Sequence, residues 1–179
     1  MRAKPWRSGS FGSSTYGAQL AAALGLPYAF ASHFAPEQMH EAISVYRARF
    51  RPSERLPAPH IMLGLNVFAA DTDAEARRLF SSLQQAFLNS RRGRPSKLPL
   101  PVDDLDARLD PYARAMLADA LACSVIGSAE TVRRELQAFI ASTTADELMV
   151  TAQIFDHDAR KRSFEILATV SREMADPGE

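Results

Sequence analysis

Apolar positions along this chain switch between two spacings, and the switches mark out its elements. Thr15 to Leu24 is filled with alanine and leucine, can be capped by Ser14 or Thr15, and is closed by Gly25, which predicts a helix. Leu26 to Ala31 is a short continuous apolar run and predicts a buried parallel strand. Pro36 suits the first position of a second helix, with Glu37 in its first turn. Met39, Ile43, Tyr46 and Phe50 give that helix one apolar face, and Arg47, Arg49 and Arg51 crowd its end. His60 to Ala69 predicts a second strand, with Ile61, Leu63, Leu65 and Val67 on one side and Met62 and Phe68 on the other. Being apolar on both faces, it calls for a covered sheet.

Asp71 or Thr72 opens a third helix that runs through Asn89, with Ala76, Leu79, Phe80, Leu83 and Phe87 inward. Residues 91–104 carry Pro95, Pro99 and Pro101 and begin a long insertion, taken as 91–124, with a helix over 111–122 inside it. Ser128 starts a helix through Ala141, Glu147 to Ile154 predicts a third strand, and Asp158 to Met174 a last helix. Residues 1–11 are polar and glycine-bearing and read as a poorly ordered or altered segment ahead of a domain over 12–179. Strands separated by helices predict an α/β fold of right-handed βαβ units on a parallel sheet. No short internal repeat is present.

Composition narrows the partners. The 179 residues are 46% apolar, enough for one domain with a core. Lys plus Arg and Asp plus Glu each number 21, so the net charge is zero and neither nucleic acid nor a membrane surface is an expected partner. Arg91, Arg92, Arg94 and Lys97 form one basic cluster, read as a solvated loop. Cys123 is the only cysteine, so no internal disulfide can form; it sits among apolar neighbours as a buried thiol, and the cytoplasm is the expected compartment. No apolar run reaches the roughly 20 residues of a membrane span, and the start of the chain does not read as a signal peptide. His33, His40, His60 and His157 have no ligand spacing, so no metal site is expected.

The candidate chemistry lies where strands hand over to helices. Gly12, Ser13, Ser14 and Thr15 lead a helix whose free N–H groups and hydroxyls could cradle a phosphate, although Ser14 could equally cap its own helix. Gly17 either lets a backbone approach a ligand or is an ordinary helix glycine. Ser32 and His33 follow the strand ending at Ala31; His33 could bond a ligand, shuttle a proton or satisfy a neighbouring carbonyl. Asn66 could line a pocket or satisfy a loop. Gln153, Asp156 and His157 follow the last strand, with Asp156 read as a helix cap.

The stretch Gly12-Ser13-Ser14, followed by Ala18 to Phe34, resembles the bacterial luciferase-like flavin-dependent monooxygenases. Ile126 to Val132 and Ala145 to Val150 resemble a later part of the same family, and the likeness spans about 12–172. It implies the C-terminal half of a (β/α)8 TIM barrel, which when whole needs about 250 residues. In that family a strand ends just before Gly12-Ser13-Ser14; here Lys4 to Phe11 is too polar for one, so the chain reads as truncated or altered upstream. The resemblance also implies a cofactor, reduced FMN ahead of F420. Ser13, Ser14, Thr15, Tyr16, Gly17 and Ser32 would bind it, and His33 is the one candidate for catalysis. The implied activity is oxidation of a small-molecule substrate with dioxygen, with a flavin reductase as possible partner. The insertion would act as a lid that tunes specificity. The alternative is a non-catalytic half barrel that self-associates, as a homo-oligomer, or binds a partner through uncovered edges.

Overall fold

The computed structural model describes residues 10–175, which form two compact units. One holds the chain through Leu65 together with Thr143–Met149, and the other holds Asn66–Ser142 and the chain from Val150 onward.

In the first unit, β1 (Ser10–Gly12), α1 (Thr15–Ala23), β2 (Tyr28–Phe30) and α2 (Met39–Arg49) lead to the first half of β3 (Ile61–Ala69). β1 pairs parallel with β2, and β2 parallel with β3, with Phe11 opposite Ala29 and Ala29 opposite Met62. The expected βα alternation is therefore present. β3 is buried on both faces, as its largely apolar run requires, with Asn66 the one polar side chain in it. Tyr28 and Phe30 are buried, and the Tyr28 ring packs on Tyr46 of α2 at 5.3 Å between centroids. The Tyr46 hydroxyl donates to Leu26 O (2.8 Å) and accepts from His60 N (3.2 Å), tying together the chain entering β2 and β3. Gly25 reverses the chain after α1 with φ +60, where an added Cβ would lie 2.6 Å from Arg51 O.

The second unit takes the rest of β3, which pairs parallel with β4 (Ser124–Gly127) from Asn66 opposite Ser124 to Ala69 opposite Gly127. α3 (Asp73–Arg91) is capped by Thr72, whose hydroxyl accepts from Glu75 N. α4 (Pro111–Ala120) has Pro111 in its first turn and Asp110 as cap. α5 (Ala129–Thr143) follows β4, and α6 (His157–Ala175) closes the described chain. β5 (Glu147–Thr151) pairs with β3 and belongs partly to each unit. Phe68, Ala76, Leu79, Leu83, Ala152 and Ile154 form the core of the second unit.

Two strands differ from the sequence reading. Ser10 and Phe11, expected to be too polar for a strand, pair parallel with β2 because main-chain bonding needs no apolar side chain; residues 1–9 lie outside those described. By sequence the insertion ends at 124, a helix starts at Ser128 and 125–127 carry no element, yet Ser124–Gly127 forms β4. Its four residues are too few for periodicity to reveal, and the carbonyls and amides of β3 complete it. The loop before α4 is pinned to α3: Val102 N donates to Ser81 Oγ (2.8 Å) and Gln85 Nε2 to Leu100 O (3.0 Å).

Candidate functional site

Because β1 and β2 run parallel, with Gly12 opposite Phe30, their following loops emerge at the same edge of the first unit. Ala31 N donates to Gly12 O (2.9 Å), which sets the Ser13 loop directly beside the Ser32 loop. Ser14 is the N-cap of α1, in an extended conformation (φ −146, ψ 161), and its side chain makes no capping hydrogen bond. The first turn of α1 contains no acidic residue. The helix thus presents N–H groups that neither a cap nor a carboxylate claims. Ser13 and Ser14 are exposed, Thr15 and Gly17 half-buried, and Tyr16 is 73% exposed.

The loop is held from beneath. Tyr28 Oη donates to Ser14 O at 3.1 Å, and burial pushes the Tyr28 hydroxyl up to about 12, so it remains a donor through the neutral range. A Cβ on Gly17 would lie 3.6 Å from Tyr28 Cε2 and 3.7 Å from Gly12 Cα, which is ordinary contact. Gly17 is therefore not demanded by packing among the described residues.

Ser32 is fully buried and its hydroxyl donates to Gly64 O, which fixes the end of β2 against β3 and leaves the side chain no free surface. His33 is half-buried with its Nδ1 atom enclosed and unbonded. Its ring lies where a Cβ on Gly64 would be, 2.2 Å from Nδ1. Burial lowers the His33 pKa, a shift the Gly64 backbone partly offsets, so the neutral imidazole is favoured. The 74%-exposed Phe34 ring stands 4.6 Å from the imidazole.

The remaining candidates lie away from this edge, in contacts of their own or on the surface. Asn66 is buried in the middle of β3, where its Nδ2 donates to Ser124 Oγ (3.2 Å). Asp156 accepts from Ala159 N (2.8 Å) and so caps α6; His157 pairs with Arg160, and Gln153 is exposed. Cys123 is buried. Among the described residues no cluster of potential ligands could hold a metal, and no helix is long and apolar enough to cross a membrane. Sequence reading missed Tyr28 and Gly64. Each left a signal: a tyrosine in an apolar run needs a partner for its hydroxyl, and a glycine inside a strand marks a close approach.

Parallel βα units with an uncapped helix start at the carboxyl edge define an α/β protein whose first helix opens its N-terminus at that edge. The family model described as luciferase-like monooxygenase matches residues 10–147, and this chain belongs to that family. A luciferase-like monooxygenase of Escherichia coli is 47% identical over 163 residues, which are 91% of this chain and 49% of the relative. The Bacillus subtilis protein YvbT is 44% identical over 159 residues, covering 89% of this chain and 47% of its own. The crystal structure of apo-MsnO8 superposes with a TM-score of 0.73 at 31% identity, over 90% of this chain and 49% of MsnO8. The oxygenating constituent of 3,6-diketocamphane monooxygenase from Pseudomonas putida, in complex with FMN, shares the fold. Its TM-score is 0.54 at 22% identity, over 89% of this chain and 45% of that one. The chain spans about half the length of the curated relatives it matches, so its α/β units correspond to half of a TIM-barrel monooxygenase.

Proposed function

We propose that this chain holds the phosphate of a flavin, reduced FMN ahead of F420, as part of a monooxygenase that acts on a small organic molecule with dioxygen. One observation carries the reading: α1 begins beside the carboxyl ends of two parallel strands with no side-chain cap and no carboxylate in its first turn. Family membership supports it. An anion fits there chemically, because the first-turn N–H groups and the Ser13, Ser14 and Thr15 hydroxyls can donate and the first turn holds no carboxylate.

The first-turn N–H groups and the hydroxyls of Ser13, Ser14 and Thr15 donate to the phosphate oxygens. Tyr28 keeps the Ser14 carbonyl turned inward, so that the loop amides face out. Ser32 shapes the pocket indirectly, by locking β2 to β3. The neutral His33 ring and Phe34 form a wall that is partly apolar and offers one imidazole as a hydrogen-bond partner. When bound, reduced flavin supplies the electrons for oxygen activation, and a separate flavin reductase in the cytoplasm is the proposed source of that cofactor.

Fluorescence titration of the full chain with FMN tests the phosphate site. Ser14→Ala should weaken FMN by about tenfold, near the lower end of a charge-assisted hydrogen bond. Riboflavin, which lacks the phosphate, should bind both proteins equally. Absence of FMN binding by either protein removes the proposal for this chain.

A further inference from the structure

The arginines that crowd the end of α2 have separate roles. The Arg47 guanidinium donates to Thr143 O (3.0 Å) and Thr144 O (2.8 Å). Arg49 and Arg51 are exposed, and neither belongs to an ion pair among the described residues. Phe50, between them, leaves the helix in an extended conformation (φ −60, ψ 130). It carries the chain onto α1, where Arg51 N donates to Ala22 O (2.9 Å). The half-buried Phe50 ring packs edge-on against Tyr46, 5.5 Å between centroids. The main chain under both arginines is thus fixed. With Gln19, Ala23 and Ala48, residues 49–51 line an open hollow of about 520 Å³ within the first unit. That volume lies in the range of roughly 300–1,000 Å³ found for small-molecule sites. Its lining combines apolar surface with three donor side chains and holds no carboxylate. Ala23 and Arg49 are the last residues of α1 and α2, so the hollow sits toward the end of α1 opposite Ser14, apart from the phosphate edge.

We propose that this hollow is a second binding site, for a small organic monocarboxylate with an apolar body. The planar guanidinium forks of Arg49 and Arg51 match the two oxygens of a carboxylate. Gln19 adds a neutral amide donor, and Ala23, Ala48 and Phe50 receive the apolar part. Charge balance selects a singly charged ligand. The carboxyl ends of α1 and α2 each bring roughly half a negative charge to the hollow, so the two arginines leave about one positive charge over. A carboxylate neutralises that charge. A phosphate dianion overshoots it, and a neutral ligand leaves both guanidinium groups without a counter-charge. The site also differs in kind from the Ser13–Thr15 loop: side-chain cations hold the anion here, main-chain amides and hydroxyls there.

The test is a titration of the full chain, without flavin, followed by amide and side-chain resonances at constant ionic strength. Benzoate is the probe, benzamide its neutral counterpart and phenyl phosphate the dianion. Benzoate should shift the resonances of Gln19, Ala23 and residues 48–51 and saturate. Benzamide should not shift them, and phenyl phosphate should bind no tighter than benzoate. The double variant Arg49→Gln, Arg51→Gln changes only exposed side chains, so its far-UV circular dichroism should match the parent while benzoate weakens at least tenfold. Four results overturn the proposal: no saturable shift by benzoate at these residues, equal shifts by benzamide, tighter binding of phenyl phosphate, or a folded double variant that binds benzoate as the parent does. If the double variant loses its fold, the comparison of benzoate, benzamide and phenyl phosphate on the parent chain decides alone. Because no flavin is present and the arginines lie away from Ser14, this titration and that with FMN fail independently.

Discussion

The hydroxyl of Tyr28 reaches from β2 to the carbonyl of Ser14, 3.1 Å away, and so joins a core aromatic to the loop that starts α1. Tyr28→Phe keeps the ring packed on Tyr46 and removes only this bond. Stability should fall by about 1 kcal/mol in urea denaturation. FMN affinity should fall several-fold, because the loop loses its anchor, while the fold is retained.

The same hydroxyl gives an alkaline signature. Its folded pKa, about 12, lies above the ordinary value of 10.0, so the folded state retains a proton that the unfolded state loses first. The contribution is complete below pH 10 and is lost as pH rises toward 12. Unfolding curves across that window should show a falling stability that Tyr28→Phe flattens.

Tyr46→Phe removes a hydroxyl that serves Leu26 O and His60 N at once. Both main-chain groups lose a partner, so the cost should reach about 1–3 kcal/mol by chemical denaturation. A loss well below the Tyr28→Phe value would mean that water replaces the tyrosine.

Two glycines should respond in opposite ways. Gly64→Ala places a methyl 2.2 Å from His33 Nδ1 and 2.6 Å from Cε1, so the ring must leave its place. A loss of about 1–3 kcal/mol is expected, with a shifted His33 imidazole resonance. Gly17→Ala meets nothing closer than 3.6 Å and lies within a helix, so a gain of up to about 1 kcal/mol is expected. Weaker FMN binding by this more stable variant would reveal a close backbone approach of the ligand at that turn.

Asp73 controls the acid side of the second unit. Its Oδ1 accepts from Ser128 N (2.7 Å) and its Oδ2 from the Thr131 hydroxyl (3.2 Å). The Ser128 amide is the main cause holding its pKa below the ordinary carboxylate value. The unfolded chain therefore takes up the proton first, and the stabilisation is complete above the ordinary carboxylate range and vanishes as pH falls through the folded pKa. Melting temperatures from neutral to acidic pH should decline less steeply in Asp73→Asn than in the parent.

The order of helices and strands was legible because amphipathic spacing and continuous apolar runs reflect burial, and burial follows side-chain type. Asp156 was legible as a cap, and the cap of α3 was legible as Asp71 or Thr72, for a similar reason: a short polar side chain beside its own helix start acts locally. The structure selects Thr72. The βα alternation also implied parallel pairing, which placed Ser13 and Ser14 on the same edge as Ser32 and His33. β1 and β4 were not legible, because such short strands are created by the main chain of a neighbour and leave little pattern in their own residues. The choice between capping and anion binding at Ser14 was equally hidden, since both use the same residue in the same place.

By itself the sequence determined the α/β class, the elements and the handover loops, because these depend on neighbours within a few positions. Only the tertiary structure decided that Ser14 leaves its helix uncapped, that Tyr28 holds its carbonyl, that Ser32 is sealed against Gly64, and that α1 keeps an apolar face in water. Those outcomes depend on which atoms from distant segments come within bonding distance, and a one-dimensional pattern does not encode that distance.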